Sequence, residues 1–159
     1  MIKLINKELL NKVSAEAKCN ERLRKNYNFH KDLNEPMHRL LNGVEPGTYI
    51  QPHRHKNPDK EEIFLVLRGE LLVVLFEEDG TIREHHLVAP QKGVYGMEIA
   101  AGVWHTVVSL APQTMIYEIK EGPYLPLSDH NLAKWAPSPQ QKDEAQSYIN
   151  ELVSKTIGF

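Results

Sequence analysis

Four side chains in this 159-residue sequence have the types and spacing needed to hold a metal ion. His53 and His55 are two residues apart, and such residues point to the same face of an extended strand. Glu62 stands at the head of an apolar run, and His105 follows the turn residue Gly102. Imidazole nitrogens and carboxylate oxygens suit divalent transition metals. His53, His55, Glu62 and His105 are therefore candidate ligands for zinc, manganese, iron or nickel.

Two neighbouring carboxylates compete for the third ligand position. Glu61 and Glu62 both precede the strand-like run that ends at Gly69. Glu62 is preferred because Phe64 and Val66, two and four residues later, then share its inward face. The sequence thus predicts that a second strand returns a carboxylate to the histidine pair.

The elements that must position these ligands are mostly short strands. Strand-like runs are separated by turn signals about every eight to twelve residues, which favours a sandwich or barrel over βαβ units. An edge strand is expected early, around residues 37–41. The runs that follow cover residues 62–67, 71–76, 81–88, 97–99, 106–110 and 115–120.

Amphipathic helices are expected at both ends of the chain. Residues 7–18 carry one apolar stripe, from Leu9 to Ala17. Ser138 and Pro139 form a helix-start signal, and an apolar stripe from Ala145 to Val153 follows it. The second helix must bury that stripe on its own barrel or on a neighbour, and both remain open.

The ligand spacing resembles the cupin family. The first cupin motif, G-x5-H-x-H-x3/4-E-x6-G, is met by Gly47, His53, His55, Glu62 and Gly69, with six residues between His55 and Glu62. The second motif is met at Gly102 and His105, while Ala100 replaces its proline and Ser109 its asparagine. The resemblance implies a cupin barrel, a double-stranded β-helix or jelly roll, although some cupin-like barrels keep polar pockets without a metal.

A closer resemblance, to the WbuC-type cupin metalloproteins of bacterial surface-polysaccharide loci, covers nearly the whole chain. It rests on short matching segments, namely residues 27–30, 39–42, 45–49, 52–55, 57–60, 104–105 and 120–124. This resemblance implies a metal-bearing barrel, a sugar-pathway context and a homodimer. It also favours Arg39, Tyr49 and Gln51, which flank the ligand strand, as substrate contacts.

Length and charge indicate a single domain and limit the expected partners. The length fits one domain, with a helix and arm in 1–36, the barrel in 37–121 and a tail and helix in 122–159. The sequence has 19 basic and 21 acidic residues, a formal net charge of −2, and no cluster of basic residues. Neither a nucleic acid nor a membrane is therefore an expected partner. The N-terminus lacks an apolar signal core, and a cytoplasmic location is expected.

Three functions fit these features. The first is a metal-dependent isomerase or epimerase acting on a sugar or sugar nucleotide in O-antigen biosynthesis. The second is an iron-dependent oxygenase, because the same ligands suit oxygen chemistry. The third is a non-catalytic module that binds a metal or a carbohydrate. The sequence does not identify the residue that would move a proton, so whether the protein is an enzyme stays open.

Overall fold

A computed structural model describes residues 2–158 of the chain. Within these residues, two α-helices flank eight strands. Neither helix combines the length and the apolar character that crossing a bilayer requires. The bounds are α1 Lys7–Lys18, β1 Arg24–Asn28, β2 Met37–Val44, β3 Glu62–Arg68, β4 Leu71–Phe76, β5 Ile82–Val88, β6 Gly96–Ile99, β7 Trp104–Ser109, β8 Thr114–Glu121 and α2 Lys142–Thr156.

The strands form two antiparallel sheets. The larger has the order β1-β2-β8-β3-β6, and the smaller has the order β5-β4-β7. An apolar core that includes Phe64, Val66, Val73, Val107 and Ile116 joins strands of both sheets. The predicted all-β core with a helix at each end is thereby confirmed.

Both helices cover the outer faces of these sheets. Val13 of α1 packs against Leu41 and Met115 of the larger sheet. Ile149 and Leu152 of α2 join a buried cluster with residues of β4 and β7. The apolar stripe of the second helix is therefore buried on its own barrel, which resolves the alternative left open by the sequence.

Gly69 forms the turn between β3 and β4. Its φ of +85° lies in the left-handed region, and an added Cβ would lie 2.3 Å from Thr114 Oγ1 and 2.7 Å from Thr114 Cα. Only glycine fits such a conformation and so close an approach of β8. The glycine that closes the first motif thus fixes how the Glu62 strand reverses.

Several expected features differ from the structure. The segment expected as an N-terminal arm contains β1, which forms the edge of the larger sheet, so β2 lies inside it. Helix α2 begins at Lys142, not at Ser138, because Ser138 lies in a turn in which its carbonyl accepts from the Gln141 amide. The tail also returns to the barrel, since the Ala133 amide donates to the Pro52 carbonyl.

Candidate metal centre and its pocket

The four predicted ligands converge at one end of the barrel. His53, His55, Glu62 and His105 each offer an atom, and these atoms all lie within 4.8 Å of one another. Glu62 begins β3 and His105 lies in β7, so the two sheets each contribute one buried ligand. The backbones of His53 and His105 bond to each other in both directions at 2.9 Å, which ties the H-x-H segment to β7.

Backbone carbonyls orient two of the imidazoles. Nδ1 of His53 lies 3.0 Å from the Gln51 carbonyl, and Nδ1 of His105 lies 2.9 Å from the Val103 carbonyl. Because a carbonyl only accepts, each Nδ1 carries the hydrogen in these bonds. In the neutral ring, Nε2 then keeps a free lone pair, as in metal-ligating histidines.

Within residues 2–158, three of the converging atoms are buried without a hydrogen-bond partner. They are Nε2 of His55, Oε2 of Glu62 and Nε2 of His105. The His105 and Glu62 atoms lie only 2.9 Å apart, and His55 Nε2 lies 3.2 Å from Glu62 Oε1. Buried polar atoms are nearly always satisfied, so a group of orphan ligand atoms fits a bound cation. The residues present therefore suit a divalent transition metal.

The electrostatics favour the metal-binding protonation states of two candidate ligands, Glu62 and His53. Burial acts to raise the pKa of Glu62, but the close nitrogens of His105 and His55 and the charge of Lys120 outweigh it and hold that pKa well below its usual value. Burial of its ring, and then the charge of His105, lower the pKa of His53 to about 3. At neutral pH the cluster thus presents a carboxylate and a neutral His53.

A lysine and a second carboxylate adjoin the cluster. Lys120 Nζ lies 3.0 Å from Glu62 Oε1 and 3.2 Å from Glu118 Oε1. Asn42 Nδ2 reaches Glu118 Oε2 at 3.5 Å, and Asn42 Oδ1 is buried without a partner. Glu118 is therefore a buried carboxylate beside the cluster but outside it.

A cavity of about 430 Å³ opens beside these groups. This volume is ordinary for a small-molecule site. His53, Glu62 and His105 lie at one end, and Ile50 and Phe64 provide apolar wall. The remaining lining residues are Asn20, Arg22, Arg24, Lys25, Asn26, Asn42, Val107, Ile116, Glu118 and Lys120.

Comparison with known sequences identifies the family of this chain. Residues 5–88, more than half of the chain, match the family described as "Domain of unknown function (DUF6016)". The chain belongs to the DUF6016 family. The matched region includes His53, His55 and Glu62, whereas His105 and Lys120 follow it. The comparison with curated proteins finds no match.

Solved structures similar to this DUF6016 member support its fold. TT1209 from Thermus thermophilus is 16% identical, with a TM-score of 0.53 over 76% of this chain and 97% of that one. KdgF from Halomonas sp. is 16% identical, with a TM-score of 0.50 over 64% and 82% of the two chains. BH2720 from Bacillus halodurans is 20% identical, with a TM-score of 0.50 over 79% and 85%. The fold of this DUF6016 member is the predicted cupin barrel.

The structure places the three expected substrate contacts elsewhere. Arg39 bonds Glu35 at 2.7 Å, the Tyr49 hydroxyl donates to the Pro137 carbonyl at 2.6 Å, and Gln51 Nε2 donates to the Ala133 carbonyl at 2.9 Å. Within residues 2–158, none of the three lines the 430 Å³ cavity. Ile50 lines that cavity instead, so regular alternation does not extend back from His53 to Gln51.

Sequence reasoning assigned no role to several cavity residues. Lys120 and Glu118 are two apart in β8 and share its inner face, as their pairing with Glu62 and Phe64 shows. Two charged residues on the inward face of a strand are unusual, because charged groups are seldom buried unless paired. The spacing of Lys120 and Glu118 in a strand could therefore have indicated two site residues. The position of Arg24, in contrast, depends on the pairing of β1 with β2.

Proposed function

We propose that this DUF6016 member is a metal-dependent enzyme that isomerises or epimerises a sugar or sugar nucleotide. The main support is that buried atoms of His55, Glu62 and His105 have no hydrogen-bond partner within residues 2–158. The Lys120–Glu118 ion pair lies beside them. A cation site next to a separate buried carboxylate is the pairing that proton transfer beside a carbonyl requires. The cavity of about 430 Å³ has room for a small polar ligand.

The four cluster residues would hold one divalent zinc, manganese, iron or nickel ion. When bound, such an ion supplies Lewis acidity that polarises a substrate carbonyl or hydroxyl. The chain prepares the site in advance, because the Gln51 and Val103 carbonyls fix the rings of His53 and His105. Lys120 fixes the Glu62 carboxylate from the pocket side.

Glu118 is the residue that we assign to proton transfer. Its carboxylate lines the cavity and is not among the four cluster residues. It accepts a proton from the substrate carbon next to the carbonyl, and the Lys120 ammonium at 3.2 Å stays beside it. Return of that proton to the neighbouring carbon, with the hydroxyl proton moving to the former carbonyl oxygen, gives isomerisation. Epimerisation instead requires that a proton from water reach the original carbon on the opposite face. Asn42 holds the second oxygen of Glu118.

The pathway assignment has a separate basis. The resemblance to WbuC-type cupins extends from residues 27–30 to residues 120–124 and supports a role in bacterial O-antigen biosynthesis. The broader cupin resemblance supports a homodimer. These statements depend on the two resemblances and not on the cavity, so they can fail while the enzymatic proposal stands.

The test is deuterium exchange by metal-loaded protein. Sugars and sugar nucleotides are incubated with it in D₂O, and incorporation at carbon is followed by NMR. We expect exchange in the wild type and its loss in Glu118→Gln, which keeps an acceptor for Lys120 while removing the base. Glu98→Gln, an exposed change on β6, is the matched control and should exchange normally.

Two other results would replace this proposal. Oxygen consumption by the iron-loaded protein, without exchange at carbon, would indicate an oxygenase. Saturable sugar binding with neither exchange nor oxygen consumption would indicate a binding module. Metal content is measured on every sample. A lack of deuterium exchange counts against the proposal only when the protein contains metal.

A further inference from the structure

The cavity beside the cluster has a second polar end at the edge strand β1. Arg24 and Asn26 pair in register with Val44 and Asn42 of β2, and Asn42 pairs with Ile116 of β8. Residues directly opposite on antiparallel strands project from the same face of a sheet. Arg24 and Asn26 therefore face the same side as Ile116, and all three line the cavity.

This second end carries positive charge that no carboxylate balances. Across residues 2–158, neither Arg22 nor Arg24 forms an ion pair, whereas Lys25 pairs with Glu16 at 3.6 Å. Arg24 Nη1 donates to the Tyr49 carbonyl at 2.9 Å, which fixes the side chain and engages only one of its donors. Burial and the charge of Arg22 lower the pKa of Arg24, as expected for two cations close together. An anion between them would relieve this repulsion.

The two ends of the cavity lie on strands that are three positions apart in the larger sheet. Strands β8 and β2 lie between β3, which carries Glu62, and β1, which carries Arg24. Three spacings of neighbouring strands correspond to about 14 Å between the two backbones. A ligand that contacts both ends is therefore elongated, with an anionic group at β1 and a reacting group at the cluster.

The region between the ends is suited to hydroxyl groups. Asn42 Oδ1 is buried without a hydrogen-bond partner, and Glu118 lies on the next strand. Both residues line the cavity. Acceptors left unsatisfied in a cavity are met by donors of a ligand, and a sugar ring offers several.

We propose that the ligand is a phosphorylated sugar or sugar nucleotide whose phosphate binds Arg22 and Arg24. This inference rests on the proposed function of the same site and narrows its substrate from sugars in general to those with a phosphate or diphosphate. Guanidinium groups match phosphate oxygens with paired hydrogen bonds. The phosphate holds the sugar ring against Asn42 and Glu118, with the reacting carbon toward the cluster.

The experiment is calorimetric binding with four probes, namely UDP, glucose 1-phosphate, glucuronate and glucose. We expect UDP and glucose 1-phosphate to bind at least about tenfold more tightly than glucose, with affinity falling as salt is raised. The test variant is Arg22→Ala with Arg24→Gln, where the glutamine amide can still donate to the Tyr49 carbonyl. It should weaken both phosphate probes about tenfold or more.

Arg83→Ala is the matched control. Arg83 is exposed on β5, in the smaller sheet, and among residues 2–158 it pairs only with its neighbour Glu84. Its loss should leave every affinity within about twofold, since long-range charge effects are screened. If the double variant does not fold, Arg22→Glu replaces it, because Arg22 is exposed and its side chain forms no hydrogen bond within residues 2–158.

The outcomes separate this inference from the proposed function. Equal affinity for glucose and glucose 1-phosphate, or phosphate binding unchanged by the Arg22 and Arg24 variants, would overturn it even if sugars are turned over. Glucuronate binding as tightly as glucose 1-phosphate would overturn the phosphate assignment in favour of any anion. Arginine-dependent UDP binding without deuterium exchange would support the inference and count against the enzyme.

Discussion

Lys120 Nζ lies 3.0 Å from Glu62 Oε1, so a pocket lysine directly neutralises the buried carboxylate among the candidate metal ligands. Burial acts against the charge of Lys120, but Glu118 and Glu62 outweigh it and raise the lysine pKa above its ordinary value. A buried carboxylate that keeps its charge needs such a partner. Lys120 thus stabilises Glu62 as a carboxylate before any metal arrives.

Lys120→Met tests this relationship in the metal-free protein. The change leaves Glu62 buried without its cation, and we expect the free energy of unfolding to fall by about 3 kcal/mol. Urea unfolding in the presence of a chelator measures the loss. Added zinc or manganese should recover part of it, because a bound cation replaces the missing charge.

Lys92→Met is the control for this change. Lys92 pairs with Glu70 at 3.2 Å, but about half of its side chain is exposed. Surface ion pairs contribute little, so its loss should change stability by less than about 1 kcal/mol. If the two methionine variants were equally stable, Lys120 would have no special role toward Glu62.

Metal content tests the cluster itself. Protein purified without added metal should contain near-stoichiometric zinc, manganese, iron or nickel by elemental analysis. His53→Ala with His55→Ala should contain none, because it removes two of four ligands. His85→Ala with His86→Ala removes two exposed strand histidines and should retain the metal. Equal metal in both double variants would contradict the assignment.

The convergence of the four candidate ligands could be predicted because most of its information is local in sequence. The pair His53 and His55, the carboxylate at the start of β3 and the glycine at position 69 carry recognisable spacing, and the structure brings the four ligand atoms within 4.8 Å. Helix α1 was likewise predicted to its residue bounds, because its apolar stripe is continuous.

The rest depended on long-range pairing that a single sequence does not encode locally. No local pattern singles out Arg24, and only the register of β1 with β2 brings it to the cavity. Tyr49 and Gln51 were expected to contact substrate, but both side chains instead bond the returning tail. Tail residues some 80 positions away in the chain decided their orientation.

Acid should destabilise the metal-free protein from about pH 6.5 downward. His53 has a folded pKa of about 3, below the ordinary histidine value, so the unfolded state binds the proton more readily. Its contribution to stability is full above about pH 6.5 and is lost as the pH falls toward 3. The lowered pKa of Glu62 adds a further loss below the ordinary carboxyl range.

We expect a loss of about 1 kcal/mol between pH 7 and pH 5.5 that is attributable to His53, discounted because part of this residue is exposed. Urea unfolding with a chelator at both values measures it. His53→Gln removes the titrating ring and should flatten the dependence in this window. An unchanged slope in that variant would show that other groups are responsible.

Gly69→Ala should be among the most damaging single changes outside the cluster. The new Cβ meets Thr114 backbone at 2.7 Å in a residue whose φ is +85°, so both the left-handed conformation and the approach of β8 are penalised. We expect a loss of about 2 kcal/mol or more in unfolding free energy.

Gly93→Ala is the matched control, since its φ is +84° but, among residues 2–158, no atom lies within 4 Å of the added Cβ. It should cost only about 1 kcal/mol, because it isolates the backbone strain, and the difference between the two variants measures the contact with Thr114. Equal losses would show that the tight packing of β8 against this turn contributes nothing beyond the glycine conformation.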